Sequence, residues 1–210
     1  MKRHYFLFRA LMLVIATSVF IVGCNNVRPS KEVAKTTEAL AVATPDSNVT
    51  NPLFKIAPTE YSALSEKALL LMAGFKFDEW AAMLADNVIY SFPDGDAGTR
   101  TTLNGKTAVI AWWKYWKEKS GVKSMTMSAF NHIPIDVTEQ PKGGFPMGIY
   151  DIVYFNNKMV FNGKPVGIRM NFSVHFNTEK KIDHYATYYD RSVIIKAMGR
   201  NILDEAKSNK

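Results

Sequence analysis

Three polar side chains, Asp151, His184 and Tyr188, fall in segments whose residues otherwise alternate apolar and polar in the manner of strands. A carboxylate, an imidazole and a phenol gathered on an apolar wall could serve as base, acid and orienting group in a proton transfer. Whether they meet depends on register. Asn162-Gly163 is a strong two-residue hairpin turn, and with Phe161 facing Lys164 the partners are positions summing to 325. Asp151 then lies opposite Val174, Val153 opposite Phe172, Phe155 opposite Met170 and Met159 opposite Val166. Pairing Phe176 with Ile182 across the next loop sets His184 beside Val174 and Tyr188 beside Met170. Asp151 and His184 would flank Val174 at about 10 Å between backbones, within reach of one ligand or one water. The competing reading leaves Asp151 in solvent near a strand end and His184 bonded to a carbonyl. A bulge at Asn156-Asn157 would also turn Asp151 to the other face.

Met170 and Phe172 belong to the same inward surface. With Trp80, Tyr90, Phe92 and Trp113 they are the candidates to line a pocket for a small hydrophobic molecule. Trp80, Trp112, Trp113 and Trp116 also have the spacing of ordinary core residues. The opposite face carries Tyr150, Tyr154, Arg169, Asn171, Ser173, His175, Asp183, Tyr185 and Tyr189, a mixture suited to solvent or to a homodimer contact. His175 and Asp183 are expected as cross-strand neighbours and as a surface ion pair. His132 has no evident partner. No His, Cys and carboxylate spacing suits a structural metal, and no cofactor is implied. "GKT" at 105–107 lacks the glycine spacing of a phosphate loop, and Asp94 and Asp96 read as turn residues.

The elements that must position these groups are helices first and strands afterwards. Thr59 can cap a helix carrying Tyr61, Leu64, Ala68, Leu71 and Met72 on one face, with Gly74 at its end. Asp78 can cap a short helix with Trp80, Met83 and Leu84. Residues 87–92 read as a strand ending in a Pro-Asp-Gly turn. A third helix, about Lys106 to Ser120, shows the stripe Val109, Trp112, Trp113, Trp116. The period then falls to two over 123–137, 147–161, 165–176 and 181–189, and a last amphipathic helix runs from about Ser192 to Ala206. Helices followed by a long antiparallel meander predict an α+β domain over 59–210.

Upstream lies a different kind of sequence. Met1-Lys2-Arg3-His4 and Arg9 precede an apolar stretch from Ala10 to Gly23, 14 residues that fall short of the about 20 needed to span a bilayer. The stretch ends in Ile21-Val22-Gly23-Cys24, and Cys24 is the only cysteine. This end resembles the lipobox of bacterial lipoproteins. The resemblance implies that residues 1–23 are a signal peptide, and that Cys24 is acylated, by palmitate for example, and holds the protein on a bilayer. With Asn25 next, it implies the outer membrane in a Gram-negative cell. One buried acyl chain anchors weakly and two anchor firmly. Residues 24–58, rich in Asn, Thr, Ser, Pro and Ala, read as a flexible tether. Losing Lys2, Arg3 and Arg9 takes the 26 basic residues to 23 against 19 acidic ones, so the formal +7 drops to +4. Spread over the surface, that charge is no nucleic-acid footprint.

Three motifs carry a further resemblance. "DEWAAMLADNVIYSFPDG" (78–95), "LNGKTAVIAWW" (103–113) and "KIDHYATYYDRS" (181–192) resemble, in order and spacing, the SnoaL-like branch of the nuclear transport factor 2-like superfamily. The resemblance spans about residues 59–200 and implies a cone, with the sheet wrapped around the helices and a pocket at its open end. That superfamily includes isomerases, cyclases, dehydratases, hydrolases and many binders, often dimeric, so the fold selects no activity. The places of the ketosteroid isomerase base and its helix-one tyrosine are held here by Phe92 and Leu69. The expectation is therefore a lipid-anchored binder of a small hydrophobic or amphipathic molecule. The alternatives are a SnoaL-like enzyme using the Asp151/His184 pair, and a protein-interaction or structural module.

Overall fold

The computed structural model describes residues 53–94, 101–141 and 145–203, all within one compact unit, Ser47–Lys210. The signal, Cys24 and most of the tether lie outside the described residues. The first element falls inside the stretch read as tether: β1 (Phe54–Ile56) pairs with the end of β4, so the folded domain begins before Thr59. Then follow α1 (Glu60–Ala73), α2 (Phe77–Ala81), β2 (Leu84–Ser91), β3 (Thr102–Asn104), α3 (Lys106–Lys119), β4 (Val122–Val137), β5 (Gly148–Phe161), β6 (Lys164–Phe176), β7 (Ile182–Tyr188) and α4 (Ser192–Met198). Seven strands form one sheet in the order β1-β4-β5-β6-β7-β2-β3, antiparallel except where β2 runs parallel to β7. Among the described residues no helix is long and apolar enough to cross a membrane.

The helices form as the apolar spacing predicts, with adjusted ends. Thr59 occupies the N-cap of α1 but its hydroxyl makes no capping bond. The cap of α2 is Lys76, because Phe77 is drawn into the core, and Asp78 instead bonds Lys114 on α3 at 2.9 Å. Met83 and Leu84 leave the helix, and Leu84 opens β2. The regular part of α4 stops at Gly199, whose φ of 75° is cheap only for glycine.

The β5–β6 hairpin has the predicted register along its whole length, from Phe161↔Lys164 to Ile149↔Phe176. Asn162 and Gly163 take φ of 47° and 83°, the left-handed pair that a type I′ turn requires. Two bulges then set what faces inward. In β4 the register slips between Ser128 and Asn131, with Ala129 at φ 53°, so the inward phase of Met125 and Met127 passes to His132 and Pro134. In β7, Phe176 pairs with Ile182 as expected, but His175 then pairs with His184. Asp183 is the extra residue, held where its carboxylate accepts a hydrogen bond from His175 Nδ1. One inserted residue turns every later side chain of the strand over.

The core lies between the sheet's inner face and α1 and α3. Trp80, Tyr90, Phe92, Phe155, Phe161, Phe172 and Tyr185 are essentially without exposure. Their rings meet edge-on: Trp80 to Trp113 at 6.2 Å, Trp113 to Trp116 at 5.3 Å, Trp116 to Phe161 at 6.0 Å between centroids. Each such ring buries about 150–250 Å² and prefers this tilted contact, so the aromatic chain is the main apolar ballast of the domain.

Candidate functional site

Two inward-facing polar places stand out on β5, six residues apart. The first is Asp151, fully buried opposite Val174 as predicted. Its carboxylate accepts a 2.7 Å hydrogen bond at Oδ2 from His132 Nδ1, and Ser62 donates to Oδ1 at 3.4 Å. His132 Nε2 faces Glu66 Oε2 at 3.2 Å. Ser62 and Glu66 are one helical turn apart on the flank of α1 that crosses β4, so the turn spacing of the helix places both against the imidazole and its acid. A buried carboxylate is costly unless paired and bonded, and here His132 links Asp151 to half-exposed Glu66 while Ser62 bonds its other oxygen. Sequence reasoning missed His132 because the β4 bulge, which no residue type announces, brings it to the inner face.

His184 and Tyr188 are not part of this group. The β7 bulge puts both on the outer face, which corrects the expected convergence with Asp151. His184 Nε2 accepts from, or donates to, Ser91 Oγ at 3.2 Å, and burial, followed by the neighbouring His175, holds its pKa below the usual imidazole value. Tyr188 pairs with Asn171 instead of Met170 and is 41% exposed at the edge of a shallow outer depression. The same shift moves Tyr185 inward, where its hydroxyl accepts a hydrogen bond from Trp80 Nε1 at 3.1 Å and burial raises its pKa. The predicted contact of His175 with Asp183 forms, though His175 is buried under the Tyr150 ring at 4.6 Å instead of lying at the surface.

The second place is the mouth of the cone. A partly enclosed cavity of about 30 Å³ is walled by the methionines of α1, β4, β5, β6 and α4, by Trp112, Trp113 and Trp116, and by Asn157 and Arg191. Of the residues expected to line a pocket, Trp113, Met170 and Phe172 do so. Trp80, Tyr90 and Phe92 do not; they pack behind the wall, Tyr90 5.0 Å from Phe92 and 5.8 Å from Trp113. The expected hollow is therefore largely filled by rings, with room for about one or two waters. Ile194, Met198 and Ile202 close it from the side of α4.

Within this apolar wall three buried polar atoms have no hydrogen-bond partner among the described residues: Asn157 Oδ1, Trp112 Nε1 and Trp113 Nε1. Asn157 is 2% exposed, and its amide nitrogen reaches only the weak acceptor Met170 Sδ at 3.6 Å. Arg191 enters the wall while bonded to Asp94 and, at 2.9 Å, to Asn201 Oδ1. Among the described residues no group of three His, Cys, Asp or Glu side chains is arranged to hold a metal ion.

No family model and no curated protein matches the chain. Solved structures do match. A nuclear transport factor 2-like protein of unknown function from Burkholderia pseudomallei aligns with TM-score 0.51 and 15% identity, over 67% of this chain and 98% of that one. A Bacillus subtilis protein with a provisional isomerase name aligns with TM-score 0.50 and 16% identity, over 68% and 94%. A nuclear transport factor 2-like protein from Anabaena variabilis aligns with TM-score 0.48 and 16% identity, over 65% and 93%. At these identities the likeness shows the fold, and the fold is the nuclear transport factor 2-like cone.

Proposed function

We propose that this protein is a membrane-anchored binding protein whose cone takes up a small, mainly apolar molecule carrying a polar group. The observation that supports this is the trio of unpartnered polar atoms, Asn157 Oδ1, Trp112 Nε1 and Trp113 Nε1, on one cavity wall. Buried donors and acceptors are almost always satisfied in folded proteins, and each one left bare costs about 1–3 kcal/mol. A ligand that bonds them recovers that cost. The thioethers around them are the most adaptable of apolar side chains and repack around an incoming molecule. α4, seven residues long and ended by Gly199, is the part of the wall that must move to widen the cavity.

Protein purified from its own host without detergent should retain a small molecule in native mass spectrometry. A bare polypeptide mass, together with no response of tryptophan fluorescence to a panel of apolar probes, would overturn the reading. Anchoring is part of the proposal: Cys24→Ser should move the protein from the membrane to the soluble fraction and abolish incorporation of a labelled fatty acid. Pairing is another part. The outer sheet face holds an apolar depression of about 330 Å³ lined by Ile135, Val137, Phe145, Tyr150, Ile152 and Tyr188, and a second copy is the proposed occupant. Ile152→Glu should then lower the mass found by light scattering at micromolar concentration. A monomeric wild type would remove this part and leave the cavity reading untouched.

A further inference from the structure

The polar atoms at the cone's mouth are unequal in kind, and that inequality points to the chemistry of the ligand. Two of the three unpartnered atoms are indole N–H donors, which have no acceptor capacity. The only formal charge on the wall is the Arg191 guanidinium. It lies 11% exposed against Asp94, with a second bond to Asn201. Donors and a cation together ask for an acceptor that carries negative charge.

The surroundings agree. Besides Met72 of α1, the cavity is built from the end of α3, the start of β4, the β5–β6 hairpin and α4. In those segments Lys123, Lys164 and Lys196 have no carboxylate within ion-pair distance among the described residues. Glu118, the one acid there, is spent on Lys119. Elsewhere Lys55 pairs with Asp136, Lys106 with Asp86, Lys114 with Asp78 and Lys180 with Glu60. Lys123, Lys164 and Lys196 add positive charge near the wall, which raises the local concentration of anions.

Resting on the cavity reading above, we infer that the ligand is an acidic amphiphile, a carboxylate on an aliphatic chain. Its head is taken by Trp112 Nε1, Trp113 Nε1 and the Arg191 guanidinium, and its chain lies among the methionines of the wall. Asn157 Oδ1 cannot bond a carboxylate directly and is satisfied by a water or by a hydroxyl on the chain. The guanidinium suits this task because a planar fork can bind a carboxylate bidentately, and it already holds the Asp94 carboxylate through one nitrogen.

The test compares three probes of one chain length: dodecanoate, dodecanol and dodecyltrimethylammonium, each kept below its micelle concentration and read by tryptophan fluorescence. Dodecanoate should bind at least about tenfold more tightly than dodecanol, the scale of one charge-assisted hydrogen bond, and the ammonium probe least. The preference should shrink in Trp113→Phe, which keeps an aromatic ring and loses the N–H, and in Arg191→Gln. Raising salt from low to physiological should weaken dodecanoate and leave dodecanol unchanged. Should Arg191→Gln fail to fold, Trp112→Phe and Trp113→Phe carry the comparison alone. Equal affinity for dodecanoate and dodecanol, or tighter binding of the ammonium probe, would overturn the acidic assignment while leaving the cavity reading intact. No binding of any of the three would overturn both.

Discussion

Asp151 and Asn157 are two polar residues on one strand, both facing inward and both almost wholly buried, and their surroundings differ in one respect. Asp151 carries a formal charge and is satisfied: His132, Ser62 and, through the imidazole, Glu66 form an unbroken path to solvent. Asn157 is neutral and is left half bonded, beside two indole N–H groups in the same condition. The group that is most expensive to bury has all its partners from within the chain, and the cheaper one does not. Full satisfaction marks a structural polar cluster that docks α1 on the sheet. Incomplete satisfaction at a cavity wall is what the proposed ligand would relieve.

The sharpest way to break this contrast is to remove the imidazole. His132→Ala leaves the Asp151 carboxylate buried with only the long Ser62 bond. It should cost about 3–5 kcal/mol, or about 10 °C in melting temperature at roughly 3 °C per kcal/mol for a domain of this size. Replacing both, as His132→Leu with Asp151→Leu, should recover most of the loss, since an apolar pair of similar volume does the same work without desolvation. A single-variant loss below about 1 kcal/mol in chemical denaturation would show that Asp151 has another source of compensation.

At the cavity the same operation should have the opposite sign. Asn157→Leu removes an unsatisfied carbonyl and fills the wall with a side chain of similar size. Stability should rise by about 1 kcal/mol while binding of a host-derived ligand weakens. A protein that gains stability by losing a buried polar group is one that keeps the group for function. Destabilisation by more than about 1 kcal/mol would place Asn157 in the same class as Asp151 and erase the comparison.

How far these two places could be read from the sequence depends on bulges. The Asn162-Gly163 turn carries its own register, so everything paired across β5 and β6, Asp151 opposite Val174 included, was legible. Nothing local marks Ala129 in β4 or Asp183 in β7 as an extra residue, because a bulge is decided by packing on both faces of the sheet. The consequence is a matched pair of errors. His132, which the sequence leaves without an evident partner, is the neighbour of Asp151, and His184, expected to converge with Asp151 from the far side of Val174, is outside. The aromatic residues were legible as core or wall but not as which: Trp113 and Phe172 reach the cavity, while Trp80, Tyr90 and Phe92 stand one layer behind. That distinction is one of ring orientation, which residue type and spacing leave open.

His184 sharpens the comparison from the other face. Its neutral form bonds Ser91, while burial and the adjacent His175 disfavour the cation; Asp183, held by His175, only partly offsets them. The folded state therefore binds the proton less readily than the unfolded chain. The stability due to His184 is complete above the unfolded value of 6.5 and is lost as pH falls below it toward the folded value. His184→Gln keeps an acceptor for Ser91 without a titrating group, so melting temperature should decline less steeply from pH 7 to pH 5 in the variant than in the wild type. Parallel declines would assign the acid sensitivity to other groups.

The smallest expected effect tests where the Asp151 cluster ends. Glu66 is the outermost member, 43% exposed and 3.2 Å from His132 Nε2. If the cluster acts as a graded path from interior to solvent, the energetic weight falls along it, and the last ion pair is worth no more than a surface one. Glu66→Gln keeps an oxygen for the imidazole N–H, removes only the charge, and should cost at most about 1 kcal/mol, with the difference fading at high salt. A cost approaching that of His132→Ala would mean that the second carboxylate is what holds the His132 ring in place against Asp151. The buried acid would then depend on a residue two contacts away, and satisfaction at Asp151 would be a property of the whole chain of groups rather than of its nearest bond.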